Sequence, residues 1–270
     1  MMLQFLFVVI NSGMTSTAAA GPSLTPRSIV LSVLLGSHPP SMPVGRLLEF
    51  TSLFGISAGA VRTSLSRMVA AGDLQRRGGA YELTGRLLER QSQQDAGRVG
   101  PPTHWDGTWW VAVVTTDRRT VAARREFRSR AVAARLGELR PEVWLRPANI
   151  GIPRNLDGVA ITRGPLEVGD DHDLVERLWN LEALAASARG LTDSLQDSVR
   201  RLAVDGDDAL PDAFVRLAAA QRFLRTEPQL PTRLASSEAS GVLRSSYDTA
   251  VGAFQARLTE FFAARRTTSR

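Results

Sequence analysis

A chain of 270 residues with 43% hydrophobic content is long enough for two or three domains and can bury real cores, which excludes a disordered protein. The absence of cysteine excludes disulfides, thiolate metal sites and a cysteine nucleophile, and is compatible with a reducing cytoplasm, the expected location. The net charge is +6, carried by arginine with no lysine, and it is graded: net +4 over residues 1–98, +2 over 99–172 and 0 over 173–270, as expected if the N-terminal part meets a polyanion.

The apolar run at residues 3–10 is far shorter than the roughly 20 residues that span a bilayer, and no basic residue precedes it. It reads as neither membrane span nor signal peptide. Residues 1–25 are expected to be a disordered or mis-started extension, with Met14 as an alternative start, and no membrane partner is expected.

Folded structure is predicted from Pro26-Arg27, where Ile29, Val30, Val33 and Leu34 keep helical spacing up to Gly36. A second helix is predicted to start near Pro43, to bury Val44, Leu47, Leu48 and Leu53, and to stop at Phe54-Gly55. Ser57 is a good N-cap for a third helix over residues 58–71, ended by Gly72. Extended runs at 73–77 and 80–83 flank Gly78-Gly79 and predict a hairpin. Thr84 is expected to cap a fourth helix, and residues 91–102 read as a polar linker. Helix, helix, helix, hairpin over residues 26–95 predicts a winged helix-turn-helix domain.

A second domain is expected over residues 104–168. Strands at 109–115, 142–146 and 158–162 and a helix at 118–136 predict a small sandwich of ferredoxin-like type. Residues 172–266 predict an all-helical C-terminal domain, with Leu174, Leu178, Leu181 and Leu184 on one face and Pro211, Pro228 and Pro231 separating the helices. The fold class is therefore α+β and multidomain.

The third helix carries the functional signal. Val61, Leu65, Met68 and Val69 are placed on one face, and Arg62, Thr63, Ser66 and Arg67 on the other. Ala58 and Gly59 keep its first turn small, as a recognition helix needs when its N-terminal turns enter a major groove. Ser57 and the helix N-terminus suit a phosphate. Arg62 or Arg67 suits a guanine edge, and Thr63 or Ser66 suits phosphate or base. Arg76 and Arg77 put two cations beside the Gly-Gly turn, with Tyr81 on the returning strand, suited to flanking phosphates or the minor groove. Any one of these arginines is as readily a solvated surface residue; the constellation points to double-stranded DNA. One helix reads too few base pairs for useful affinity, so a dimer on two half-sites is expected.

These residues resemble the PaaX family of bacterial transcriptional regulators. The resemblance rests on Pro26-Arg27-Ser28-Ile29-Val30-Leu31, on the run from Ile56 to Leu74, on Trp105-Asp106-Gly107-Thr108-Trp109, on the run from Leu139 to Pro147, and on the run from Phe223 to Pro231. It spans about residues 26–262 in the family's three-part order. It implies a homodimeric repressor with a winged-helix N-domain, a ferredoxin-like (Cas2-like) central domain and a helical C-domain. It also implies release from the operator by an acyl-CoA thioester, phenylacetyl-CoA in the best-known members. The short turn at Arg76-Arg77-Gly78-Gly79-Ala80 and the compressed, acidic segment at 156–171 depart from the family, so operator and effector stay open, as does repression against activation.

Other chemistry is weaker. The run Asp170-Asp171-His172-Asp173 suits a loop metal or, more simply, an acidic helix start. Asp117 follows the first central strand, where a Cas2-like nuclease would carry an acidic residue, and a metal-dependent nuclease is the alternative function; a helix cap is the simpler reading. Trp109, Trp110, Trp144 and Trp179 would suit a pocket for an aromatic acyl group, although core packing is the commoner use, above all for Trp179. His38, His104 and His172 are scattered. No triad spacing, phosphate loop or zinc signature is present, so no catalytic residue, metal or cofactor is expected.

Overall fold

The computed structural model describes residues 4–5, 24–102, 104–116, 119–152, 156, 158–167 and 169–268. The elements begin with β1 (Gln4–Phe5), α1 (Pro26–Leu35), β2 (Ser37–His38), β3 (Ser41–Pro43), α2 (Val44–Ser52) and α3 (Ala58–Ala70). Then come β4 (Leu74–Arg77), β5 (Ala80–Leu83), α4 (Arg86–Val99), β6 (Trp109–Val114), α5 (Val121–Ala133), β7 (Gly137–Arg140), β8 (Val143–Pro147) and β9 (Val159–Gly164). The C-terminal part is helical: α6 (Asp171–Leu178), α7 (Leu181–Val204), a 3₁₀ turn at Gly206–Ala209, α8 (Leu210–Thr226) and α9 (Glu238–Thr268). This is the mixed α/β architecture with a helical C-terminal part that the patterning predicts. No helix among the described residues is long and apolar enough to cross a membrane. Two compact units result, one of residues 1–95, 191–222 and 245–270, the other of residues 96–190 and 223–244.

In the first unit, Thr25 and Ser28 form a reciprocal capping box ahead of α1, with Pro26 in the first turn. Every residue from Ser28 to Leu35 is buried, so α1 is enclosed all round rather than on the single stripe that the spacing of Ile29, Val30, Val33 and Leu34 predicts. Phe50 of α2 packs against Phe214 of α8, with ring centroids 5.3 Å apart, and against Phe254 of α9 at 6.5 Å. Phe54 meets Phe214 at 5.1 Å, and Arg46 lies over the Phe262 ring at 4.3 Å. Such edge-on aromatic pairs add about 0.5–1.5 kcal/mol each beyond the area they bury.

One local expectation for this unit is corrected. Residues 91–99 are not a linker but the continuation of α4. Buried Gln91 donates to the carbonyls of Leu35 (3.1 Å) and Ser37 (2.9 Å), and Gln221 donates to the Gln94 carbonyl (3.4 Å). The side chains of Gln91 and Gln221 are interior because they satisfy backbone carbonyls that water does not reach. The Thr84 hydroxyl donates to the Gly72 carbonyl, tying the end of the hairpin back to the end of α3. The helix expected to start near Pro43 begins at Val44, with Pro43 as its N-cap (φ −58°, ψ 143°) and as the last residue of β3.

The second unit is built on an antiparallel sheet in the order β7-β8-β6-β9. β6, α5 and β7 form a crossover whose two strands run parallel with β8 between them. Residues alternate across the sheet. Trp109 and Leu145 join Trp105, Leu174, Val175, Leu230 and Leu234 on one face. Ala112 and Trp144 join Phe127, Ala131, Ala134, Leu136 and Leu156 on the other. The strand β7 is absent from the sequence reading, which runs the helix on to residue 136; α5 ends at Ala133. Gly137 lets β7 come close: a Cβ there would lie 2.8 Å from Leu178 Cβ and 3.0 Å from the Trp179 ring.

Two buried arginines close α5. Arg146 is 1% exposed and donates to the Ala134 carbonyl (3.1 Å) at the helix end, and its burial pushes the guanidinium down to about 9. Arg135 sits in the left-handed region, φ 61°, just past α5. Its side chain donates to the carbonyls of Leu224 (3.1 Å) and Glu227, and burial lowers it to about 10. Asp170 caps α6 by accepting from the backbone N–H of His172 (2.6 Å) and Asp173 (3.4 Å). Pro211 lies in the first turn of α8 rather than between helices, where its missing N–H removes no helical hydrogen bond, while Pro228 and Pro231 lie in the connection to α9.

Candidate nucleic-acid interface

The interface starts with how α3 is anchored. Gly55 takes φ 68° in the turn after α2, a conformation that glycine adopts without strain, and the chain re-enters helix after Ser57. The Ser57 hydroxyl oxygen accepts from the Ala60 N–H at 3.3 Å. Val61, Leu65 and Met68 are at most 1% exposed and lock one side of α3 into the unit. Val69, assigned to the same side by its spacing, is 39% exposed; at 100° per residue it has rotated past the edge of the buried stripe.

The opposite side is open. Ala58, Gly59, Arg62, Thr63, Ser66 and Arg67 are all exposed, as is Ser57 at the cap. Among the described residues no carboxylate pairs with Arg62 or Arg67, and α3 itself contains no acidic residue. The Thr63 hydroxyl donates to the Gly59 carbonyl (3.0 Å) and the Ser66 hydroxyl to the Arg62 carbonyl (3.1 Å). Their protons are thus used inside the helix, and the oxygens face outward as acceptors. The stripe presents guanidinium donors and hydroxyl acceptors together.

The hairpin after α3 is a tight two-residue turn with both glycines at positive φ, 55° at Gly78 and 81° at Gly79, the type I′ geometry that matches strand twist. β5 is central, flanked by β4 and β3. Register places Arg76 opposite Tyr81 and Arg77 opposite Ala80. Arg76, half-buried Tyr81 and buried Met42 therefore share one face, while Arg77 shares the other with Gln75 and Glu82. Arg77 lies 3.6 Å from the Glu82 carboxylate and stays 75% exposed; Arg76 has no ion-pair partner among the described residues. The structure brings Arg76 and Tyr81 together but sends the two neighbouring arginines to opposite faces.

Two cations absent from the sequence-derived set flank α3. Arg27 and Arg86 line the same surface groove as Thr63 and Arg67. No local spacing signals them, because they come from the starts of α1 and α4.

The other candidates do not converge. Trp109 and Trp144 are core residues on opposite faces of the second unit's sheet, and Trp110 donates to the Ile150 carbonyl at 3.1 Å. Trp179 is half-buried just past α6, against the core cluster that contains Trp109. His38 lies 3.1 Å from the Asp95 carboxylate, and His104 and His172 are exposed. Among the described residues no group of three His, Cys, Asp or Glu side chains is placed to hold a metal ion. Asp117 lies outside the described residues.

Comparison with known proteins bears on the same region. The family profile described as PaaX-like protein matches residues 25–87, the stretch from the α1 cap through α3 and the hairpin. An uncharacterized protein from Mycobacterium tuberculosis, Rv0674, is similar in structure, with a TM-score of 0.62 and 36% sequence identity over 88% of this chain and 99% of its own. No curated protein matches the chain. With the profile centred on the helix that carries the exposed stripe, and a relative similar over nearly the whole length, the chain belongs to the PaaX-like protein family.

Proposed function

We propose that this protein is a DNA-binding transcriptional regulator whose winged helix-turn-helix reads an operator through α3. One observation carries the reading. The face of α3 with Arg62, Thr63, Ser66 and Arg67 is exposed, free of acid and small at its first turn, while its other face is buried. A helix held by one side and presenting guanidinium and hydroxyl groups on the other matches the donor and acceptor pattern of a major groove. The hairpin beside it supplies Arg76 and Tyr81 on one face and Arg77 on the other, for the sugar-phosphate flanks.

The finer reading is a dimeric repressor of a catabolic operon, relieved by an acyl-CoA effector. It draws on the family and on the strand order of the second unit, β7-β8-β6-β9, which agrees with a ferredoxin-like sheet. Relief of repression is then a shift between binding-competent and binding-incompetent dimers.

The test is a mobility-shift and anisotropy titration on promoter fragments adjoining the gene, with phenylacetyl-CoA as the effector probe. Arg62→Ala and Arg67→Ala are expected to weaken specific binding by about 1–3 kcal/mol each if they contact guanine, while the thermal midpoint stays at the wild-type value. Wild-type binding by both variants would remove the assignment of α3. A retarded complex untouched by phenylacetyl-CoA would remove that effector and leave the DNA reading standing.

A further inference from the structure

The groove beside α3 is formed by the start of α1, the flank of α3 and the start of α4, through Thr25, Arg27, Thr63, Arg67, Asp73 and Arg86 among others. Asp73 is 1% exposed at its base. Arg27 donates to one carboxylate oxygen at 2.6 Å and Arg86 to the other at 2.8 Å, yet the side chains of Arg27 and Arg86 are 45% and 76% exposed. The acid thus grips each guanidinium by one edge and leaves the remaining N–H groups in solvent. Its own backbone is fixed on both sides: the Asp73 N–H donates to the Met68 carbonyl (2.9 Å), and its carbonyl accepts from the Thr84 N–H (3.2 Å).

Charge does not balance there. Three guanidiniums, of Arg27, Arg67 and Arg86, line the groove against the one carboxylate of Asp73, and no other acidic residue among the described ones lines it. An exposed arginine normally wanders over many rotamers; one held at a fixed edge loses less freedom when it binds. A net positive groove with two pre-oriented forks suits a tetrahedral dianion or monoanion better than a flat base edge.

We propose that this groove seats a backbone phosphate of the duplex, with Arg27 and Arg86 as its donors. The inference rests on the reading of α3, because Thr63 and Arg67 belong both to the groove and to the exposed stripe, and a duplex laid on the stripe brings a sugar-phosphate strand across the groove. It adds two residues to the interface and gives them a sequence-independent role, distinct from that of Arg62.

The test uses the full chain and a duplex of random sequence, about 30 base pairs long, with affinity measured by anisotropy between about 50 and about 200 mM salt. Arg27→Ala and Arg86→Ala are each expected to reduce the slope of log affinity against log salt by about 1 and to weaken random and promoter duplexes by the same factor. Either single variant leaves Asp73 with the other arginine as partner, so both are expected to fold, which circular dichroism melting checks. Wild-type slopes in both variants, with the wild-type chain binding DNA normally, would overturn the phosphate site alone. No salt-dependent duplex binding by the wild-type chain would overturn the α3 reading and this site with it.

Discussion

The helices α3 and α5 are built alike but differ in how their arginines are partnered. Each has thirteen residues, a hydroxyl N-cap that accepts from the third backbone N–H (Ser57 from Ala60, Thr120 from Ala123), and an arginine in its last turn. By charge alone α5 is the better candidate for a polyanion, with Arg124, Arg125, Arg128 and Arg130 against Arg62 and Arg67. Yet Arg128 pairs with Glu138 at 2.5 Å and lies over the Trp144 ring at 5.7 Å, and Arg130 lies 3.9 Å from Glu126. Just ahead of α5, Arg119 pairs with Glu142 and covers the Phe127 ring at 4.6 Å. On α5 two of the four arginines face carboxylates, and Arg124 and Arg125 remain. Among the described residues neither arginine of α3 faces a carboxylate, and the groove beside α3 adds net positive charge. The number of arginines alone therefore does not single out α5.

The largest effect expected from testing this comparison is on stability. Phe127→Ala and Leu65→Ala both empty a buried position and are expected to cost about 3–5 and about 2–5 kcal/mol, read from denaturant unfolding. Only Leu65→Ala is expected to reduce the DNA affinity of the folded protein, because the reading face is proposed on α3; equal loss in both variants would erase the distinction. Next comes the contrast of charge. The double variant Arg124→Ala/Arg125→Ala is expected to bind a promoter fragment within about twofold of wild type, whereas Arg62→Ala loses about 1–3 kcal/mol. A larger loss in the α5 variant would move the interface to the second unit.

The smallest effect is one of pH. Burial acts most strongly on Asp73 and raises its carboxyl pKa, but the hydrogen bonds and charges of Arg86 and Arg27 together outweigh it and hold the group below its ordinary 3.8. A depressed carboxyl stabilises the fold fully above pH about 4, where the unfolded chain is also ionised, and loses that contribution as pH falls through the lower folded value. Both arginines keep water contact, so the contribution is expected to be about 1 kcal/mol or less. Asp73→Asn is expected to flatten the acid limb of stability, measured as denaturation midpoints against pH. Parallel acid limbs in variant and wild type would show that the two ion pairs add nothing.

The legible parts of the molecule are those set by neighbours in sequence. Ser57, Gly72 and the spacing of Val61, Leu65 and Met68 define α3 because a cap, a stop and a buried stripe are local properties. Gly78-Gly79 announces the hairpin because two consecutive positive φ angles favour glycine. The parts that escape are set by partners far away. Gln91 and Gln94 look like linker residues until Leu35, Ser37 and Gln221 are placed beside them. Gly137-Glu138-Leu139-Arg140 has no strand signature, and pairs because β8 offers an edge. The groove needs Arg27 and Arg86 brought to Asp73 across 46 and 13 positions of chain.

The Val44 N–H, the first of α2, donates to the carbonyl of Gly79 in the hairpin turn at 3.2 Å. At its other end α2 is wedged among Phe214 and Phe254 through Phe50. The turn beside Arg76 and Arg77 is thereby tied, through α2, to the aromatic rings of α8 and α9.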